Sequence, residues 1–192
     1  VSKRRLDAES IRDAMLSTSG LLNWEKPRGS LVSKAGNGQV NRSRNLQPKN
    51  LIQTFDHRSV FLPIVRDLVP PSLDLFDYAE PSLVTGKRDV TTVPSQALYL
   101  MNDPFVLRAS DNMARRISEE ASSPEQRVQL AYQLAYGRQP NNREINSTRR
   151  FFERWQAEQK KQTSSRATSN RASAWSSFCQ ALLCSAEFRY LN

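Results

Sequence analysis

Apolar residues recur at helical spacing along much of the chain, most clearly near its end. Trp175, Phe178, Cys179, Leu182, Leu183 and Ala186 fall at i, i+3, i+4, i+7, i+8 and i+11, the signature of a helix that buries one stripe. A shorter pattern predicts a helix from about Ala8 to Thr18: Ala8, Ile11 and Met15 share a face, Asp7 stands at the N-cap, Leu6 can staple onto Ile11, and Gly20 stops it. Pro94 and Pro104 each suit the first helical position. The helix opened by Pro94 is expected to bury Ala97, Leu98, Leu100 and Met101. The next, capped by Asp103 and running to about Glu119, turns Val106, Ser110, Met113 and Ile117 inward. Ser123-Pro124-Glu125-Gln126 forms a capping box ahead of Val128, Ala131, Leu134 and Ala135, with Gly137 just past the end. Asn141 and Glu144 suggest another box, for a long helix that turns Ile145, Phe152 and Trp155 inward and pairs with the final helix as a hairpin.

Between these stretches the periodicity lapses. Residues 23–53 are rich in Asn, Ser, Gly, Lys and Arg and read as a basic flexible loop; 163–170 read as a polar linker between the last two helices. Ser59 to Val65 has β-branched and aromatic content, but Pro63 limits it to a short edge strand or an extended segment. Residues 69–93 contain Pro70, Pro71 and Pro81 together with Leu73, Leu75, Phe76, Tyr78 and Leu83, a combination expected of irregular chain docked on a core. The expected architecture is therefore mainly α. It is a single compact helical domain over 1–192, of about six helices, with a long irregular segment (58–93) wrapped over it and at most a short edge strand. The opening Val1 suggests a piece of a larger protein.

Composition adds a basic balance. The 192 residues carry a net charge of +9 with 38% hydrophobic content, enough for a core. The excess is local: 23–50 hold six Lys/Arg against one acid, 138–172 hold nine against three, and 51–137 hold eight against eleven. This reads as solvated basic surface, or as a binding face for an acidic polymer built on Lys26, Arg28, Lys34, Arg42 and Arg44 or on Arg149, Arg150, Arg154, Lys160 and Lys161. Phe152 and Trp155, which interleave with the second cluster, are expected to turn inward, which argues against nucleic acid. No apolar run approaches the roughly 20 residues of a membrane span, so no membrane insertion is expected.

Little conventional chemistry is in evidence. Cys179 and Cys184 lie in one predicted helix, too far apart for a disulfide, and neither begins a haem-attachment or zinc motif. His57 is the only histidine and no Gly-x-Ser-x-Gly elbow accompanies it. Asp74, Asp77 and Glu80 recur every third residue and could face a hard cation, but nearby Arg88 favours salt bridging. The dense polar run Gly86 to Gln96 brings two bases, an acid and hydroxyls to a helix N-terminus. It could bind an anion, or it could form a capping network in which Arg88 pairs with Asp77, Glu80 or Asp89. The candidate binding residues are Arg58, Asp77, Arg88, Asp89, Thr91, Thr92 and Gln96; no catalytic residue and no metal ligand is assigned.

Three stretches carry a family resemblance: Arg58-Ser59-Val60-Phe61-Leu62-Pro63-Ile64-Val65-Arg66, Leu75-Phe76-Asp77-Tyr78-Ala79-Glu80-Pro81, and Arg88 through Asn102. In this order they resemble the planctomycete-specific domain of unknown function number 1553, as do Arg4 to Ala14 and Trp175 to Tyr190. The stretch Trp24 to Pro48 lacks the Gly-Gly-Pro element usual in that family, and Glu80 stands where Asp is more frequent. The resemblance is to the C-terminal part of the family, and it implies context rather than mechanism. Such domains follow cytochrome c-like domains in large exported proteins, so it implies an extracytoplasmic location and a haem held by a neighbouring domain, with no cofactor in this stretch. The leading expectation is a non-catalytic interaction or scaffold module whose partner is a neighbouring cytochrome c-like or other domain of the same chain. A binding module for sulfated or uronic-acid polysaccharide is the first alternative. The second is part of an enzyme with a site around Asp77, Arg88, Asp89 and Gln96.

Overall fold

The computed structural model of the chain describes residues 4–29, 54–64, 69–162 and 173–191. In order, the elements are β1 (Arg4–Arg5), α1 (Ala8–Thr18), a 3-10 turn (Ser59–Phe61), α2 (Pro71–Asp74), α3 (Pro94–Asn102), α4 (Pro104–Glu120), α5 (Pro124–Tyr136), α6 (Asn142–Gln162), α7 (Ala174–Cys184), α8 (Ala186–Arg189) and β2 (Tyr190–Leu191). The protein is mainly α: the six longer helices are those foreseen, and two four-residue helices are added.

Local chemistry explains where the helices begin and end. The Asp103 carboxylate accepts from the Phe105 N–H ahead of α4. Ser123 and Gln126 cap α5 reciprocally, and Gly137 leaves it at φ 69°, a conformation glycine adopts without strain. Asn141 and Glu144 exchange hydrogen bonds of 2.7 and 3.0 Å at the start of α6. Asp7 is the N-cap of α1, but its side chain makes no capping bond.

The core is centred where α4 and α7 lie along each other. Phe105, Val106, Ala109, Ser110, Met113, Ala114 and Ile117 of α4 are buried there, with Phe178, Cys179, Leu182 and Leu183 of α7. The small residues on α4 let the helices approach closely, and Ser110 satisfies its hydroxyl on the Val106 carbonyl at 2.8 Å. α1, α3 and α5 pack around this pair. α6 joins through an aromatic cluster in which the Phe152 ring lies 4.4 Å from Trp175 and 5.7 Å from Phe178. α6 and α7 are thus in contact, but the main partner of α7 is α4. Both cysteines are free thiols. Burial pushes Cys179 up to about 12, and Cys184 donates to the Leu100 carbonyl at 3.2 Å.

Four expectations are corrected. Ser59 to Phe61 form a 3-10 turn, not a strand; the Ser59 N–H and hydroxyl donate to Asp13 at 2.7 and 2.6 Å, and the carbonyls of Phe55 and His57 accept from Arg12, so α1 takes the groups a ladder would need. The strands lie instead at the two ends, antiparallel, with Arg4 opposite Leu191 and Arg5 opposite Tyr190. α3 buries Gln96, Tyr99 and Leu100, leaving Leu98 and Met101 each 62% exposed and Ala97 outside, because its inner side faces Phe76, α4 and α7. The stripe of α7 ends at Cys184: Ser185 is extended and caps α8 by accepting from the Phe188 N–H, which leaves Ala186 exposed. Leu83 is also exposed, while Leu73 and Phe76 of the same irregular segment are buried as expected. Of the loop 23–53 only 23–29 are described, and the linker 163–170 lies outside the described residues. Among the described residues no helix is long and apolar enough to cross a membrane.

Candidate functional site

Segments 55–59 and 76–91 are held on residues 5–13 by four charged side chains. Arg5 extends from β1 beneath the loop before α3, with its side chain 2% exposed. It donates to Asp77 Oδ2 at 2.5 Å, to the Phe76 carbonyl at 3.1 Å and to the Thr91 carbonyl. In the first turn of α1, Glu9 receives both terminal nitrogens of Arg88, at 2.7 and 2.9 Å, while that guanidinium lies 4.8 Å above the Tyr78 ring. Arg12 donates to the His57 carbonyl at 3.0 Å, the Ser59 hydroxyl at 3.1 Å and the Phe55 carbonyl. Asp13, besides holding Ser59, lies 3.8 Å from Arg58 Nε.

Of the seven residues singled out from the sequence, three converge. Asp77 adopts φ 61°, which turns its carboxylate toward the Thr91 N–H at 2.9 Å and hydroxyl at 2.7 Å as well as toward Arg5. Gln96 is 1% exposed and donates to the carbonyls of Leu75 at 2.8 Å and Thr91 at 3.2 Å. Arg88 is tied to Glu9 rather than to Asp77, Glu80 or Asp89; the geometry corrects that expected pairing. Asp89 is exposed. Thr92 stands apart, its hydroxyl 3.3 Å from that of Tyr190. Arg58 is more than half exposed and joins the α1 end of the arrangement.

The electrostatics are those of a clamp. Burial works to raise the Asp77 carboxyl, but the bonds from Thr91 and Arg5 and the Arg5 charge outweigh it and hold the group below the usual aspartate range. The same opposition acts at Glu9, where burial is outweighed mainly by Arg88, and the Glu9 bond raises Arg88 in turn. Burial lowers Arg12 to about 10 against the pull of Asp13. A general base works best with a pKa near the working pH; Asp77 is moved the other way, and its oxygens are engaged by fixed donors.

Other chemistry is similarly spoken for. His57 places Nδ1 2.8 Å from the Glu25 carbonyl and its ring 5.1 Å from Phe55. Among the described residues no group of three or more His, Cys, Asp or Glu converges as a metal would require; Asp74 and Glu80 are exposed and apart from the engaged Asp77. A second clamp was missed from the sequence. Arg138 holds Glu144 at 2.7 Å and Glu187 at 2.6 Å, flanked by the rings of Tyr132 and Tyr136 at 5.6 and 5.5 Å. Two grooves open elsewhere. One, of about 420 Å³, lies between α5, α6 and the start of α7; the other, of about 550 Å³, lies between α1, the end of α5 and the C-terminal segment. None of the seven residues lines either groove.

Arg12 carries a faint sequence signal. Arg12 falls four residues after Ala8 in the apolar stripe of α1, where a charge at a core position calls for buried partners. Those partners are backbone carbonyls far along the chain, invisible to spacing.

No curated protein and no solved structure matches the chain. A family model spans residues 1–152, leaving Trp175 to Tyr190 beyond its match. That family is described as PSD1, protein of unknown function (DUF1553), and this chain belongs to it.

Proposed function

We propose that this chain is a non-catalytic interaction module of a large exported planctomycete protein, packed in its parent against a cytochrome c-like domain that holds the haem. The observation that supports it is the division of labour between 75 and 101. Asp77, Arg88 and Thr91 have their polar groups on structural partners within the chain, and the Gln96 amide donates to two carbonyls while its Oε1 is buried without a partner. The same stretch leaves Leu83, Val84, Val90, Leu98 and Met101 in solvent. Leu98 and Met101, three residues apart, share the outer face of α3. Exposed apolar side chains grouped in this way mark contact surfaces, and inward-turned polar groups leave a substrate little to meet. The parent context and extracytoplasmic location rest on the family resemblance.

The test is calorimetric titration of the chain with the cytochrome c-like domain of its parent, wild type against L98D/M101D. Binding that the double variant weakens about tenfold or more, with an unchanged melting temperature, is the expected result. Absence of binding to that domain overturns the proposed partner; binding that ignores the substitutions overturns the proposed face. Turnover of a substrate that Q96A or D77N abolishes in a still-folded protein would establish an enzyme instead.

A further inference from the structure

Among the described residues ion pairs engage Arg5, Arg12, Arg58, Arg88, Arg108, Arg116 and Arg138. α6 carries a row of arginines outside these pairs. Arg143, Arg150 and Arg154 are exposed, and no carboxylate among the described residues pairs with them. Seven and four residues apart on one helix, they fall within an arc of about 40° and span about 16 Å. They point away from the side of α6 that carries buried Thr148 and the core-packed Phe152. Between and beyond them on this face stand Ser147 and Ala157, both exposed and small, so the line of guanidinium groups is unobstructed. Glu153 and Glu158 fall to either side.

This placement works against the helix taken alone. Arg150 and Arg154 form a like-charge i,i+4 pair. Arg143 sits in the first turn of α6, where the helix dipole disfavours a cation. Glu153 and Glu158, three and four residues beyond Arg150 and Arg154, offset part of the first effect, and an anion laid along the face would offset both. Guanidinium groups bind carboxylate and sulfate through paired N–H donors, and a straight row of three suits a linear polymer better than a small ion. Nucleic acid is less well matched: single strands are held by aromatic stacking, and the α6 aromatics Phe151, Phe152 and Trp155 pack on one another or on α7. We propose that the outer face of α6 binds a linear acidic polymer bearing carboxylate or sulfate groups, through Arg143, Arg150 and Arg154.

The experiment measures affinity for heparin across a salt series, using the full chain. R143Q/R150Q/R154Q should bind about tenfold or more weakly, with the slope of log affinity against log salt shallower by about two to three. R4Q/K87Q/R115Q removes the same charge from exposed positions elsewhere and should change affinity by less than about threefold. Competition by polygalacturonate or by dextran sulfate sorts carboxylate from sulfate as the group bound, and either supports the assignment. Equal loss in the two triple variants reduces the effect to net charge and overturns it. Duplex or single-stranded DNA displacing heparin at equal charge concentration overturns it in favour of nucleic acid, and no retention on heparin overturns it outright. Unchanged helicity and melting temperature in both variants keep every outcome readable.

Discussion

The Arg5 guanidinium and the Asp77 carboxylate meet at 2.5 Å, and Asp77 holds a positive φ of 61° to make the contact. Aspartate and asparagine tolerate that left-handed conformation better than other non-glycine residues, so charge and backbone roles are separable here. D77N keeps the conformational tolerance and one acceptor while leaving Arg5, almost wholly buried, without its counter-charge. It is expected to lower stability by about 2 to 4 kcal/mol, less than a fully enclosed pair because the Phe76 and Thr91 carbonyls still receive the guanidinium. D77A removes the conformational fit as well and should lose about 1 kcal/mol more. Urea unfolding of the two variants checks the order; a D77N protein as stable as wild type would show that the pair does not hold the loop.

The pair between Glu9 and Arg88 should be weaker. Its geometry is bidentate, yet both side chains are about a third exposed, and exposed pairs are screened. R88A is expected to lower the melting temperature by roughly 2 to 4 °C, as about 1 kcal/mol does in a chain of this size. R88K keeps the charge but loses the fork and the stacking over Tyr78, and should recover less than half of the loss. Raising the salt to about 0.5 M should shrink the difference between wild type and R88A. Unchanged stability with altered ligand binding in R88A would reject the structural role.

Acid should unfold the protein through these same groups. Asp77, Glu9 and Glu144 all have folded pKa values below their ordinary ones, so unfolding takes up protons. Their contribution is present in full above the unfolded values of about 3.9 for Asp and 4.3 for Glu. It is lost as pH falls through the lower folded values. The melting temperature should therefore hold steady above about pH 5 and drop below about pH 4. The variant E9Q/D77N should start lower and fall less steeply. Scanning calorimetry between about pH 2 and 7 would show it, and parallel acid limbs in variant and wild type would remove these carboxylates from the account.

What could be read from the sequence was set by local chemistry. Ser123 with Gln126, Gly137, and Asn141 with Glu144 mark helix ends because cap and partner lie three residues apart or at one backbone position. What escaped depends on distant chain. In α3, Ala97, Leu98, Leu100 and Met101 surround the helix with apolar groups, and only packing against Phe76 and α4 selects Tyr99 and Leu100 for burial. Spacing offered Asp77, Glu80 and Asp89 to Arg88, while its partner is 79 residues away. Of the seven candidate residues, Asp77 and Gln96 both meet Thr91, across 14 and five positions of chain. The Arg5 that organises them was missed, since its carbonyl partner at Thr91 is 86 residues off.

Arg12 offers the sharpest test of how segment 55–62 is held. It is 1% exposed, sits between the rings of Phe55 and Phe105 at 5.9 and 5.5 Å, and has Asp13, at 3.6 Å, as its ion-pair partner. Its chief partners are two carbonyls and one hydroxyl, which a planar fork can reach together and a lysine ammonium cannot. R12K keeps a buried charge but strands part of that acceptor set, so it should cost about 2 to 4 kcal/mol. R12L removes the desolvated charge yet leaves all three acceptors unmet, and should fall in the same range. If the docking runs through Arg12, amide exchange in both variants should rise first at Phe61 and Leu62, whose N–H groups close the turn on Arg58 and Ser59, before it rises in α4 and α7. Exchange that rises uniformly would instead make Arg12 a support of the whole core, acting through Phe105 rather than through the segment it crosses.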